Sequence, residues 1–346
     1  MASHRRPKQP SRTRVTVLTT AAAAAVALSS QAANAAPSEK PSKDEVKAKV
    51  DKLYEEAEKA TEKYNGAKEK QEKLQKEIST IQDNVARGQE ELNELRDGLG
   101  SMASAQYRSG GIDPSLQLFL SADPDNYLDK ASTLDQLSGQ QVEALKKIQG
   151  KQRDLAQQRS EASEKLKDLS ATRTELGNKK KEVQGKLSSA QKLLNTLTAK
   201  EKAALAAEEQ RATRSSEREV LSGKGTPASG RAAAAFAAAQ SKIGTPYVYG
   251  ATGPSSFDCS GLTSWAYAQA GVGIPRTSEA QTGAGTRISS MSQLQVGDLV
   301  FFFNDLHHVG LYAGNGQVLH APRTGTVVRY ESMSTIGGPF MFGVRV

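Results

Sequence analysis

From Val46 onward the apolar and small residues recur at alternating steps of four and three. They run Val50, Leu53, Ala57, Ala60, Tyr64 and Ala67, then Leu74, Ile78, Ile81 and Val85, then Leu92, Leu95, Leu99 and Met102. Gln71 and Gly88 interrupt the series at seam positions. Such a pattern specifies a helix with one narrow apolar stripe, here over about eight heptads, and the stripe must be covered by another helix. At the usual rise per residue the rod would be about 85 Å long.

A second series supplies a partner: Leu134, Leu145, Ile148, Leu155, Ala162, Leu166, Leu169, Leu176, Val183, Leu187, Ala190, Leu194 and Leu197. Its polar interruptions include Gln141, Gln152, Arg159, Arg173 and Lys180. Between the two lies Arg108-Ser109-Gly110-Gly111-Ile112-Asp113-Pro114, a helix stop followed by a restart. The simplest architecture is an antiparallel hairpin, with a parallel homodimer as the alternative. The turn carries the apolar run Leu116-Gln117-Leu118-Phe119-Leu120 before Asp123-Pro124. It reads either as a short capping helix or as a docking surface for a regulatory partner, such as one in a membrane. Glycines at 66, 88, 139, 150, 177 and 185 each cost up to about 1 kcal/mol relative to alanine and soften the coil.

The chain begins with five basic residues (Arg5, Arg6, Lys8, Arg12, Arg14), an alanine-rich apolar stretch and Ala33-Asn34-Ala35. That order is expected of a secretory signal peptide over residues 1–35, cleaved after Ala35, in a protein bound for the extracytoplasmic space. The leader holds five of the eight net positive charges, and residues 36–222 balance 33 basic against 33 acidic side chains. The high isoelectric point is therefore mostly a targeting signal, and no nucleic-acid partner is expected. Residues 36–222 read as a coiled-coil regulatory or positioning region. Residues 223–230, Gly-Lys-Gly-Thr-Pro-Ala-Ser-Gly, read as a flexible linker. Residues 231–346, with few charges, the single tryptophan (Trp265) and short apolar runs between turns, suffice for one globular core.

That globular part contains the only cysteine, Cys259, and three of the four histidines, His307, His308 and His320. Arg231–Lys242 reads as a helix, and Pro246–Gly250 as an extended segment. After Cys259, the spacing of Leu262, Trp265, Ala266, Gln269 and Ala270 predicts a helix ending at Gly271, so the thiol sits at a helix N-terminus. There the macrodipole should lower its pKa, with Asp258 partly opposing. Three strands follow, at Val296–Phe302, His308–Tyr312 and Gln317–Ala321, the last two joined by Gly314-Asn315-Gly316, a hairpin signal. The hairpin brings His308 and His320 onto neighbouring strands, the first as general base and the second as its orienter. His307 reads as a loop neighbour pointing to the other face. A buried cysteine can equally be inert packing, and a Cys-His-His set could bind metal, although no CxxC or HExxH spacing accompanies it.

Phe257-Asp258-Cys259-Ser260-Gly261-Leu262, Gly297–Phe302, His308-Val309-Gly310-Leu311-Tyr312 and Leu319-His320-Ala321-Pro322 resemble, in order and spacing, the motifs of the NlpC-type, papain-like cell-wall endopeptidases. The resemblance covers essentially all of residues 231–346. It implies an α+β papain-like domain, an antiparallel sheet with packed helices, preceded here by a coiled-coil hairpin similar to the regulatory regions attached to such enzymes. It also implies cofactor-free hydrolysis of peptidoglycan stem peptides, usually between γ-linked D-glutamate and diaminopimelate. Carried over by position, Cys259 is the nucleophile, His308 the base and His320 the third polar group. Tyr247 matches a tyrosine whose hydroxyl assists the oxyanion hole together with the Cys259 backbone N–H, or else is a core tyrosine. Asp258, Ser260, Arg276 and Ser278 are the candidates for substrate contact, with a loop-bracing ion pair as the alternative for Arg276. Tyr249-Gly250-Ala251 departs from the family, which often has an aromatic followed by two glycines. Two other readings remain: a non-catalytic cell-wall binding or activator protein, and an amidase or acyltransferase on the same fold.

Overall fold

The computed structural model describes residues 41–108, 127–222 and 226–346, together with Leu116 and Leu120. The expected leader lies outside the described residues. So does the apolar tip, except for Leu116 and Leu120, whose side chains are exposed. Residues Ser42–Val346 form one compact unit. Among the described residues no helix is long and apolar enough to cross a membrane.

Helix α1, Lys43–Arg108, starts at a reciprocal cap in which Ser42 and Glu45 each receive the other's backbone N–H at 3.2 Å. Helix α2, Tyr127–Asn195, returns antiparallel along it. Val46 and Val50 pack with Ala190 and Leu197, Leu74 and Ile78 with Leu169, and Leu92 with Ile148 and Leu155. Ion pairs follow the same descending register: Glu56–Lys186 at 2.6 Å, Glu77–Lys165 at 2.7 Å, and Glu91–Lys151. The stripe of α1 is thus covered by its own chain, which is the hairpin and not the parallel dimer.

The coil does not run unbroken to Ser222. Helix α2 stops at Asn195, and Thr198 begins a new helix, α3, Ala199–Ser222. Thr198 and Glu201 form a second reciprocal cap, with the Thr198 N–H donating to Glu201 at 2.8 Å and the Glu201 N–H to Thr198 Oγ1 at 3.3 Å. Helix α3 turns onto the globular part, where Glu209 meets Arg323 at 2.7 Å and Val220 packs against the core. The expected linker needs correction too. Residues 223–225 lie outside the described residues, but the Ala228 N–H donates to the Val296 carbonyl and the Val296 N–H to the Thr226 carbonyl, each at 3.1 Å. This stretch is tied down because its backbone finds a partner in Val296, which composition cannot reveal. Ser229 then caps helix α4, Gly230–Gln240.

The remainder is α+β. Helices α5 (Cys259–Gln269) and α6 (Ser278–Gln281) accompany six antiparallel strands: β1 Thr286–Ile288, β2 Leu299–Phe302, β3 His308–Gly314, β4 Gln317–His320, β5 Arg329–Ser332 and β6 Phe340–Arg345. Their order is β1-β6-β2-β3-β4-β5. Strand β2 is buried on both faces: Leu299 and Phe301 point to the helices, Val300 and Phe302 to the opposite cluster with Val318 and Met333. The β3–β4 turn uses Asn315 (φ 52°) and Gly316 (φ 69°), the left-handed pair that an Asn-Gly hairpin turn requires. Pro246 and Tyr247 make isolated bridges to Val327 and Phe257, so the extended segment expected there is present in short form.

Candidate active site

Asp258 is the N-cap of α5, and its carboxylate accepts the Gly261 N–H at 2.7 Å. Gly261 is required at that point, since a Cβ there would lie 2.1 Å from the Ala251 carbonyl oxygen. The same carboxylate accepts the Gly250 N–H at 2.9 Å, the Asn65 amide at 3.0 Å, and the Arg276 guanidinium through both oxygens, at 3.0 and 2.5 Å. Asp258 is fully buried and saturated with donors, so it braces the turn where substrate contact was expected. Arg276 is the loop-bracing partner, and it also donates to Ser260 Oγ at 2.7 Å.

Cys259 is the first residue of α5, with its thiol fully buried. Its Sγ contacts Glu62 Oε1 and the His307 carbonyl, each at 3.8 Å. Its pKa is raised well above the ordinary value, first by burial and then by Glu62, Glu58 and Asp258. The helix N-terminus alone would have favoured the thiolate. Burial reverses that expectation, and the two carboxylates brought in by α1 add to it.

Strand β3 starts with His308. Its Nε2 lies 2.7 Å from His320 Nδ1 on β4, and its Nδ1 is hydrogen-bonded to Glu58. The two histidines are diagonal neighbours and not directly opposed, because the register pairs Leu311 with Leu319. Burial disfavours the His308 imidazolium, but Glu58, with Glu331 and Glu62 further off, outweighs it and raises the pKa. His320 goes the other way: burial, despite Glu331, lowers its pKa to about 4. It is therefore neutral near pH 7, and its Nε2 is 3.3 Å from Glu331 Oε2. Burial pushes Glu331 up, yet His320 and Arg329 hold it down at about 2, so it remains a carboxylate able to fix the His320 tautomer. Glu331 escaped the sequence reading.

His307 lies in the loop directly before β3, as expected. It is buried, paired with Asp305 and stacked on Phe303 with ring centroids 4.1 Å apart. Tyr247 is buried in the same core cluster as Cys259, and burial, then Cys259, raises its pKa well above the ordinary value. Ser260 donates to Glu62 at 2.7 Å, and the Ser278 backbone N–H donates to Glu62 at 2.6 Å, while Ser278 Oγ is buried without a hydrogen-bond partner. Glu62 itself has its pKa raised to about 7 by burial and then by Asp258.

Besides Glu331, sequence reasoning missed Glu58, Glu62 and Asn65. Their spacing of four and three puts them on one face of α1, beside the seam, and that polar stripe was the available signal. The thiol, imidazole and carboxylate of Cys259, His308 and Glu58 lie within 4.8 Å of one another. Among the described residues this set, and not Cys-His-His, is the one whose donor atoms lie close enough together to hold a metal ion. A cleft of about 760 Å³ opens beside it, lined by Glu58, His308, His320, Arg323 and Glu331 among others.

Gly310 sets the histidine spacing. A Cβ there would lie 2.4 Å from Val318 Cγ2 and 3.0 Å from His320 Cβ. Gly310→Ala is expected to push β4 off β3, costing about 1–3 kcal/mol in stability. Denaturant unfolding and the His308–His320 signals in proton NMR check this, and a fully native pair would refute it.

The NlpC/P60 family profile matches residues 244–341. A "probable endopeptidase" of Corynebacterium glutamicum is 50% identical over 119 residues, 34% of this chain and 56% of that protein. The "probable endopeptidase p60" of Listeria innocua is 45% identical over 113 residues, 32% of this chain and 24% of its own length. The chain thus spans about half the length of the first of these relatives and a quarter of the second. Among solved structures, the NlpC/p60 domain of the peptidoglycan hydrolase SagA is 41% identical, with 33% of this chain and 98% of that one covered, at a TM-score of 0.31.

Proposed function

We propose that the chain, whose residues 244–341 form an NlpC/P60 family domain, is a secreted peptidoglycan endopeptidase acting through a cysteine acyl-enzyme. The observation that carries the reading is a buried chain of groups running from Cys259 through His308 and His320 to Glu331. In the working state His308 Nδ1 takes the thiol proton, and Sγ attacks the carbonyl of a stem-peptide amide. The oxyanion is met by the Cys259 N–H and the Tyr247 hydroxyl. His308 then returns its proton to the leaving amine as the C–N bond breaks. Water, deprotonated by His308, attacks the thioester and regenerates the thiol. Neutral His320, held by Glu331, keeps Nδ1 of His308 aimed at the sulfur. No cofactor takes part.

The bond we assign is the one between γ-D-glutamate and diaminopimelate. The test is mass spectrometry of the fragments released from purified cell wall. A disaccharide peptide ending in glutamate, and a peptide beginning with a free diaminopimelate amine, are expected. Fragments cut between the sugar and the peptide would point to an amidase and overturn the assignment. The hairpin positions and restrains this domain, and its tip, where Leu116 and Leu120 are exposed, is the place for a membrane-bound partner.

A further inference from the structure

We propose that α1 is an intramolecular inhibitor: Glu58 and Glu62, one helical turn apart, fill the reaction centre and hold the protein in a latent state. The inference concerns the regulation of the site just described and rests on reading that site as a hydrolase.

Each carboxylate removes a different requirement for turnover. Glu58 bonds His308 Nδ1, the nitrogen that must accept the thiol proton, and so the base has no free lone pair. Glu62 sits on the other side of the sulfur. It takes the Ser260 hydroxyl at 2.7 Å and the Ser278 N–H at 2.6 Å, and it lies 3.8 Å from Sγ. Those donors converge on the place where a substrate group must lie for Sγ to reach a carbonyl, and Glu62 already occupies it. Asn65 completes the contact by donating to Asp258 at 3.0 Å, and Tyr64 packs edge-on against Tyr249 with centroids 6.0 Å apart.

The sequence of α1 is arranged for this contact and not for the hairpin. Over most of its length the buried residues are Val, Leu, Ile and Ala, facing α2. Between 58 and 65 the buried set includes Glu58, Thr61 and Asn65, at 8%, 1% and 1% exposure. A helix needing only to pair with α2 would leave such residues in water. The contact is also made to be undone. Its bonds are largely charged and polar, and a buried carboxylate regains full hydration on release, so burial of such groups adds little net stability. Release must also part Arg323 from Asp51 at 3.1 Å and Lys59 from Asp305 at 3.7 Å, both at partly exposed side chains.

Cys259 is the only cysteine in the chain, so alkylation by iodoacetamide reports on this one thiol, whatever the substrate. In the full chain, Glu58→Ala combined with Glu62→Ala is expected to raise the alkylation rate at least about tenfold, because the closed population falls. Glu77→Ala, in the distant Lys165 pair, is expected to leave it unchanged. Hydrogen exchange at the Ser278 amide should speed up in parallel. An unchanged alkylation rate in the folded double variant overturns the proposal. Should that variant fail to fold, by circular dichroism, Glu62→Gln keeps the side-chain volume and removes the charge. A rise of about threefold is then expected, and an unchanged rate overturns the proposal equally. Faster alkylation without wall cleavage would uphold the latch and sink the peptidoglycan reading. Wall cleavage with unchanged alkylation would do the reverse.

Discussion

Cys259→Ala is expected to reduce wall hydrolysis by at least about 10³-fold, to the level of the untreated control. The size follows from what remains. Without Sγ the site keeps its oxyanion donors and its groove, but His308 has no nucleophile to activate and water is not positioned as a substitute. Cys259→Ser should be equally inactive, because a hydroxyl is a far weaker acid than a thiol and His308 cannot deprotonate it in this setting. The stability cost should be small. Removing one buried sulfur from the core costs about 1 kcal/mol, at the low end of large-to-small changes. Loss of activity with a nearly unchanged unfolding curve is therefore the expected result, read from dye release by labelled wall alongside denaturant unfolding. Turnover retained in Cys259→Ala would remove the acyl-enzyme mechanism. His308→Ala is a poorer probe, since it strands Glu58 in the interior without its partner.

Which parts of this were legible follows from how far each contact reaches along the chain. The hairpin could be read because most turns of α1 and α2 place an apolar or small residue on one stripe, with a helix stop between the two series. The break at Thr196–Thr198 was hidden by Leu194 and Leu197, which keep the apolar spacing going, although Thr198 and Glu201 spell out a capping box. The Asn315-Gly316 turn and the diagonal histidine pair are local, and so were their motifs. Glu331, two strands on from His308, lacked any such motif. The direction of the Cys259 pKa shift came out wrong for a specific reason. The local helix dipole was visible, but the burial that dominates the shift is set by the whole fold, and Glu62 and Glu58 arrive from 197 and more residues away in sequence. Ser278 was named as a candidate for substrate contact, and in the structure its backbone N–H meets Glu62. No pattern within residues 231–346 could announce any of these.

Asp258→Ala is expected to cost the globular part about 3–5 kcal/mol, the range for removing one partner of a buried ion pair. Asp258 has no exposed side-chain surface, and Arg276 only 17%. Its loss would leave the guanidinium buried opposite Glu62 and Ser260, strip the N-cap from α5, and orphan the Gly250 N–H. Arg276→Ala should cost less, because the carboxylate keeps Gly250, Gly261 and Asn65 as donors. The double variant should be less destabilised than the two singles added together, since neither charge is then left alone. Trp265 reports on all of this. It is the only tryptophan, and its ring lies 5.3 Å from that of Phe257, the residue before Asp258. Its fluorescence during denaturant unfolding therefore follows the turn that carries Cys259, separately from the helical hairpin, which circular dichroism follows. A loss below about 1 kcal/mol in Asp258→Ala would mean a solvent-screened pair of the surface kind. The thiol would then be held in place by α1 and not by its own domain, and opening the latch would dismantle the site it exposes.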